Sequence, residues 1–131
     1  MNRKLTFFVV LSFSLLFSDD IFGENAEVKR EYWKKYIFLG KGYLKKETRY
    51  KNGKKEGPTK YWYKSGKIKG ERNFKNGKEN GPLKWWYESG KKMAEVFYQK
   101  GKKHGSATWW FPNGNKKKEE IFINGNRNSL F

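Results

Sequence analysis

The chain has 131 residues, no cysteine, and 30 Lys and Arg against 13 acids, a formal charge of +17. That length holds one domain at most, and the lack of cysteine excludes disulfides, thiol catalysis, cysteine metal sites and lipid modification at an N-terminal cysteine. The charge excess suits a polyanionic partner or an anionic surface and says nothing about fold.

The chain opens on Asn2-Arg3-Lys4. An apolar run follows, Leu5 to Phe17, broken only by Thr6, Ser12 and Ser14. A basic start before an apolar core of this length reads as a secretory signal, and the run is short of the roughly 20 residues a membrane span needs. Residues 1–23 are therefore read as a helical signal peptide cleaved near Gly23. The mature chain is expected to be exported, to the periplasm or the medium. In residues 24–36, Val28, Tyr32 and Tyr36 stand at i, i+4, i+8, a spacing open to one helical face. A repeat array needs a terminal cap, and this piece is read as that cap, a short helix or an irregular strand.

From residue 37 to 131 the chain repeats itself. Ile37-Phe38-Leu39 align with Tyr61-Trp62-Tyr63 in a degenerate first copy. Later copies open at Tyr50, Phe74, Tyr98 and Phe122, each 24 residues beyond the last. Within them recur a first glycine (Gly53, Gly77, Gly101, Gly125), a second (Gly57, Gly81, Gly105), a Trp-aromatic pair (Trp62-Tyr63, Trp86-Tyr87, Trp110-Phe111) and a closing glycine (Gly66, Gly90, Gly114). Self-similarity at a fixed period marks a repeat array.

Each copy holds two short aromatic or β-branched runs between glycine turns, so the spacing predicts an antiparallel meander. Two-residue hairpin loops are expected at 52–53, 65–66, 76–77, 89–90, 113–114 and 124–125. Counting out from them places Trp62 opposite Lys69, Lys60 opposite Glu71, and Lys69 opposite Lys84. One face then carries Tyr61, Tyr63, Ile68, Arg72, Phe74, Leu83, Trp85, Tyr87, Val96, Tyr98, Trp109, Phe111 and Phe122. Gly70 and Ala94 leave room for flat rings on it, and this face is the expected core. The other carries Trp62, Trp86 and Trp110 with Lys45, Lys60, Lys69, Lys84 and Glu47, Glu71, Glu95, Glu119. Lys60–Glu71 and Lys84–Glu95 are expected as cross-strand ion pairs. Equivalent tryptophans lie roughly 10 Å apart, with Glu71 and Lys69, or Glu95 and Met93, between them.

The string Gly70-Glu-Arg-Asn-Phe-Lys-Asn-Gly-Lys-Glu-Asn-Gly81 resembles the membrane occupation and recognition nexus (MORN) repeat. So does Gly101-Lys-Lys-His-Gly105. The period and the Trp-Tyr pair are closer to the bacterial variant of that repeat. The resemblance covers about 37 to 131. It implies an all-β, elongated, single-layer antiparallel sheet of hairpins. It also implies protein–protein contact, oligomerisation and, in some members, binding to anionic lipid head groups. The antitoxin-like label of some bacterial relatives fits poorly with a signal-like start. The resemblance brings no catalytic motif.

Nothing in the chain points to an enzyme or to a cofactor. His104, the only histidine, falls in a turn and cannot build a zinc site without other clustered ligands. The four glutamates recur at one strand position, which fits cross-strand pairing with lysine better than a special catalytic pair. Gly53-Lys54 and Gly101-Lys102 lack the glycine-rich nest and following helix of a phosphate loop. The candidate binding surface is the Trp62, Trp86, Trp110 row with Lys60 and Lys84, together with Lys54, Lys78 and Lys102 just after the turns. The expected function is an exported scaffold for contact with an unknown protein partner, or for self-association through the C-terminal sheet edge. The alternative is binding to an anionic lipid surface or a polyanionic polysaccharide. Nucleic acid is disfavoured, because export takes the protein away from it.

Overall fold

A computed structural model describes residues 25–33 and 43–128. The expected signal helix, its cleavage site and the alignment of Ile37-Phe38-Leu39 lie outside them. The described residues form a single antiparallel sheet of ten strands and contain no helix. The strands are β1 (Ala26–Trp33), β2 (Tyr43–Lys51), β3 (Lys54–Trp62), β4 (Ile68–Lys75), β5 (Lys78–Glu79), β6 (Gly81–Trp86), β7 (Lys92–Gln99), β8 (Lys102–Trp110), β9 (Lys116–Ile123) and β10 (Asn126–Asn128). They lie side by side in chain order. β5 and β6 together take the place that β3 and β8 fill without a break.

The segment read as a cap contributes β1. It pairs with β2 from Ala26↔Lys51 to Trp33↔Tyr43, in the manner in which β3 pairs with β4. The i, i+4, i+8 spacing of its apolar residues therefore carries no helix. Residues 26–33 alternate across a strand instead.

The two families of turns differ. At Asn52-Gly53, Asn76-Gly77 and Asn124-Gly125 both residues have positive φ, the two-residue type I′ hairpin that suits the twist of the strands. Lys100-Gly101 makes the same turn, with Lys100 at φ 51°. The turns ending at Gly66, Gly90 and Gly114 are not two-residue loops. Only the glycine has positive φ, and Tyr63 N–H donates to the Lys67 carbonyl at 2.9 Å. The loop is thus three residues, a type I turn closed by a left-handed glycine. Ser65, Ser89 and Asn113 alike keep the ordinary sign of φ, and the closing glycine alone is left-handed.

An extra loop residue would flip every following side chain to the wrong face. A β-bulge one step further cancels it. The register runs Trp62↔Ile68, then Tyr61↔Gly70, and Lys69 is the odd residue; Lys45, Met93 and Lys117 are its equivalents. Trp62 therefore faces Ile68 rather than Lys69, and Ile68 joins the tryptophan face. A second bulge sits at Gly57, Gly81 and Gly105, all of positive φ. It moves the β4 register from Phe74↔Glu79 to Gly70↔Trp85 and Glu71↔Lys84, so Lys84 faces Glu71 and not Lys69. A shift of two leaves the faces unchanged, and Lys60↔Glu71 and Lys75↔Lys78 stand as expected.

The core lies on the first face. Leu83, Val96, Ala107 and Phe122 are buried there, with Trp85, Tyr98 and Trp109 packed against them. In a sheet with no second layer, large rings laid over small neighbours supply the cover. A methyl group on Gly70 would stand 2.3 Å from the Trp85 ring, and Tyr61 packs on Trp85 with ring centroids 5.2 Å apart.

Candidate functional site

Successive hairpins are fastened along both long sides of the sheet, which fixes how surface groups are spaced. On the side of the three-residue loops, the Tyr63 hydroxyl donates to the Trp86 carbonyl at 2.7 Å and the Tyr87 hydroxyl to the Trp110 carbonyl at 2.8 Å. Burial pushes the Tyr63 phenol up from its ordinary value, which keeps the donor protonated. Trp33, at the end of β1, fills this place ahead of Tyr63, its indole N–H 3.4 Å from the Trp62 carbonyl. On the side of the type I′ turns, the amides of Gly77, Gly101 and Gly125 donate to the carbonyls of Lys55, Glu79 and Lys103 at 2.7–2.9 Å. Beside them the amides of Asn76, Lys100 and Asn124 donate to Glu56 Oε2, Asn80 Oδ1 and His104 Nδ1. His104 thus occupies a repeated structural position.

The second face carries a row of alternating charge. Arg30, Glu47, Lys60, Glu71, Lys84 and Glu95 stand side by side on consecutive strands, and Thr108 and Glu119 continue the row. Arg30 reaches Glu47 at 2.8 Å, and Lys84 reaches Glu95 at 3.6 Å. Lys60 faces Glu71 as expected, but among the described residues the two make no ion pair. Lys92 is the closer partner of Glu95, at 2.8 Å. Its hydrogen bond, more than its charge or that of Lys84, holds the Glu95 carboxyl below the usual carboxylate value.

Trp62, Trp86 and Trp110 lie on this face and are half-buried. The residues opposite them are Ile68, Lys92 and Lys116, in place of the expected Lys69 and Met93. Lys92 Nζ stands 5.6 Å from the centre of the Trp110 ring, within cation–π range. Lys45 and Lys69, expected beside the tryptophans, cover the rings of Trp33 and Tyr63 at 4.9 and 5.4 Å. Within the tryptophan row itself, among the described residues, only Trp110 carries a lysine over its ring.

The candidate residues divide into two places. Lys60 and Lys84 sit with the tryptophans in the body of the second face. Lys54, Lys78 and Lys102 are exposed at the type I′ turns, and Lys54 lies six residues, roughly 20 Å of strand, from Lys60. Among the described residues no three of His, Cys, Asp and Glu come together as metal ligands do.

The structure adds a patch that was not anticipated. Phe97, Ile121 and Ile123 point from the second face and are 40%, 42% and 51% exposed. Pro82 lies opposite Phe97. The repeat position that reads Arg49, Asn73, Phe97, Ile121 turns from polar to apolar half-way along the array, a switch legible in the sequence itself.

A family model, the MORN repeat variant, matches residues 55–76, 79–100 and 103–124. The chain belongs to this family of MORN repeat proteins. Repeats of this family are in general non-catalytic and serve contact with proteins or membranes. Neither the curated proteins nor the solved structures give a match to the chain.

Proposed function

We propose that this protein is an exported, non-catalytic scaffold that binds another protein, or a second copy of itself, through the C-terminal half of its second face. The observation that supports this reading is the run Pro82, Phe97, Ile121, Ile123. Three large apolar side chains, each at least 40% exposed, share one face of β7 and β9, with Ser106 of β8 between them. Grouped exposed apolar residues mark contact surfaces more often than scattered ones do. The nearby sheet edge supports it further: among the described residues β10 covers β9 only at Ile121–Ile123, and open strand edges recruit further strands. Export rests on the basic start and apolar run before residue 23.

The test is capture by, or sedimentation of, the mature chain at low and at high salt, beside the double variant Phe97→Ser, Ile121→Ser. Binding or self-association that survives high salt and is lost in the variant supports the reading. Binding that is unchanged in the variant overturns it. Export is checked by the intact mass of the native protein, and Met1 still attached would contradict it.

A further inference from the structure

The two long sides of the sheet are both rich in lysine, and they use it differently. At the three-residue loops every lysine is engaged. Lys67 Nζ donates to the Glu88 carbonyl at 3.0 Å and Lys91 Nζ to the Asn113 carbonyl at 2.8 Å. Lys116 pairs with Glu119 at 2.6 Å, Lys92 with Glu95 at 2.8 Å, and Lys64 and Lys117 lie over the rings of Trp33 and Phe111.

At the type I′ turns the ammonium groups of Lys51, Lys54, Lys75, Lys78, Lys100 and Lys102 are exposed, and among the described residues none has an ion pair, hydrogen bond or ring partner. Two pairs of them are set against one another: Lys51 is the cross-strand partner of Lys54, and Lys75 of Lys78. Like charges directly opposite destabilise a hairpin, so folding gives no reason for this arrangement. The backbone beneath them is nonetheless fixed. A methyl group on Gly77, Gly101 or Gly125 would meet the stem of Lys54, Lys78 or Lys102 from the preceding copy at 3.7–3.8 Å, and the amides of these glycines tie each turn to that copy.

We infer that this edge binds a linear anionic polysaccharide, lying across successive turns with its carboxylates or sulfates on the six lysines. The site shares no residue with the apolar patch, and the inference does not depend on the scaffold reading. Charge selects an anion, and geometry selects a flexible line over a plane. Adjacent strands rotate by roughly 20–25°, so Lys54 and Lys102, four strands apart, point roughly 80–100° away from each other. A flat bilayer meets one turn at a time, whereas a bending polymer follows all three.

The choice of a glycan over a nucleic acid rests on the rings. Binding of single strands uses aromatic side chains as stacking platforms. The rings nearest these turns are Tyr50, Phe74 and Tyr98: Lys29 and Lys55 cap the first two at 4.9 and 4.8 Å, and Tyr98 is packed against the core. The amides of Asn52, Asn76 and Gln99 beside the lysines suit sugar hydroxyls.

The experiment titrates the full mature chain with a heparin oligosaccharide at several salt concentrations. Six neutralised charges give a log–log salt slope of about −4. In Lys51→Gln, Lys54→Gln, Lys75→Gln, Lys78→Gln the slope should fall to about −1.4, with at least about tenfold weaker binding at low salt. The variant should melt no lower than the parent, since it removes like-charge pairs. The matched variant Lys64→Gln, Lys67→Gln, Lys91→Gln, Lys116→Gln loses the same charge from the other side and should bind within about threefold of the parent. Equal losses in the two variants would mean that net charge alone binds the probe, and would overturn the assignment of this edge. Tighter binding to phosphatidylserine vesicles or to single-stranded DNA of equal charge, with the same dependence on the four turn lysines, would overturn the glycan.

Discussion

The two halves of the sheet share one repeat and differ in what they bury. On the first face a row of side chains runs Thr48, Thr59, Arg72, Leu83, Val96, Ala107 across consecutive strands. In the C-terminal half the row is aliphatic and joins the core around Phe122. In the N-terminal half Thr48 and Thr59 are as deeply buried, yet their hydroxyls and the Arg72 Nε have no partner. Burying a polar group without a hydrogen bond costs stability. The same backbone plan therefore gives a firm half and a soft half, and the exposed apolar patch is mounted on the firm one. A repeat fixes geometry, while the residue at each repeated position sets the local stability.

The largest effect expected is that of Trp85→Ala. Trp85 covers Gly70 and packs on the core, so its loss should cost about 3–5 kcal/mol in chemical denaturation. Trp86→Ala, on the opposite face, should cost clearly less. Equal losses, or the reverse order, would show that the faces are exchanged. Gly70→Ala comes next. Its methyl group has no room beneath the Trp85 ring, and overpacking of this kind costs about 1–3 kcal/mol. A neutral result would mean that the ring does not lie where the packing puts it.

Thr59→Val is expected to act in the other direction. It replaces a buried hydroxyl without a partner by a methyl group of the same shape, and should raise stability by about 1 kcal/mol. This would bring the soft half towards the firm one. A loss of stability would show that the hydroxyl is bonded after all.

The smallest effect expected is on the pH dependence. Lys92 holds the Glu95 carboxyl below its ordinary value in the folded chain. A carboxylate depressed by folding contributes stability that is present above its unfolded value and lost as pH falls through the folded one. Melting temperature should therefore drop below about pH 4.3, and the drop should be shallower in Glu95→Gln. An identical acid limb in the variant would remove Glu95 from the explanation.

Much of this plan is legible in the residues, and the limits of legibility have physical causes. Asn52-Gly53 and its relatives announce type I′ turns because both residues tolerate positive φ. Lys100-Gly101 makes the same turn under a residue that does not announce it. Ser65-Gly66 looks like a two-residue loop, since a closing glycine serves either turn type; Asn113-Gly114 makes the same three-residue loop, so the dipeptide alone does not choose between them. The bulges at Lys69 and Gly57 cannot be counted from hydrophobic alternation, because they restore the faces that alternation reports. The faces were therefore right while the pairs Trp62–Lys69 and Lys69–Lys84 were wrong, and Ile68, caught between loop and bulge, changed sides. In the candidate site, the lysines at 54, 78 and 102 followed from their repeat position. Lys51 and Lys75 as their partners, and the engagement of the lysines on the other side, required the register and the contacts.

The difference between the halves is measured most directly by native-state hydrogen exchange of the whole mature chain, strand by strand. The backbone amides of β7 and β8, above the Val96–Ala107 core, should be the slowest to exchange, and those of β2 and β3, beside Thr48 and Thr59, clearly faster. Equal protection across the sheet, or slower exchange in β2 and β3, would contradict a firm C-terminal half.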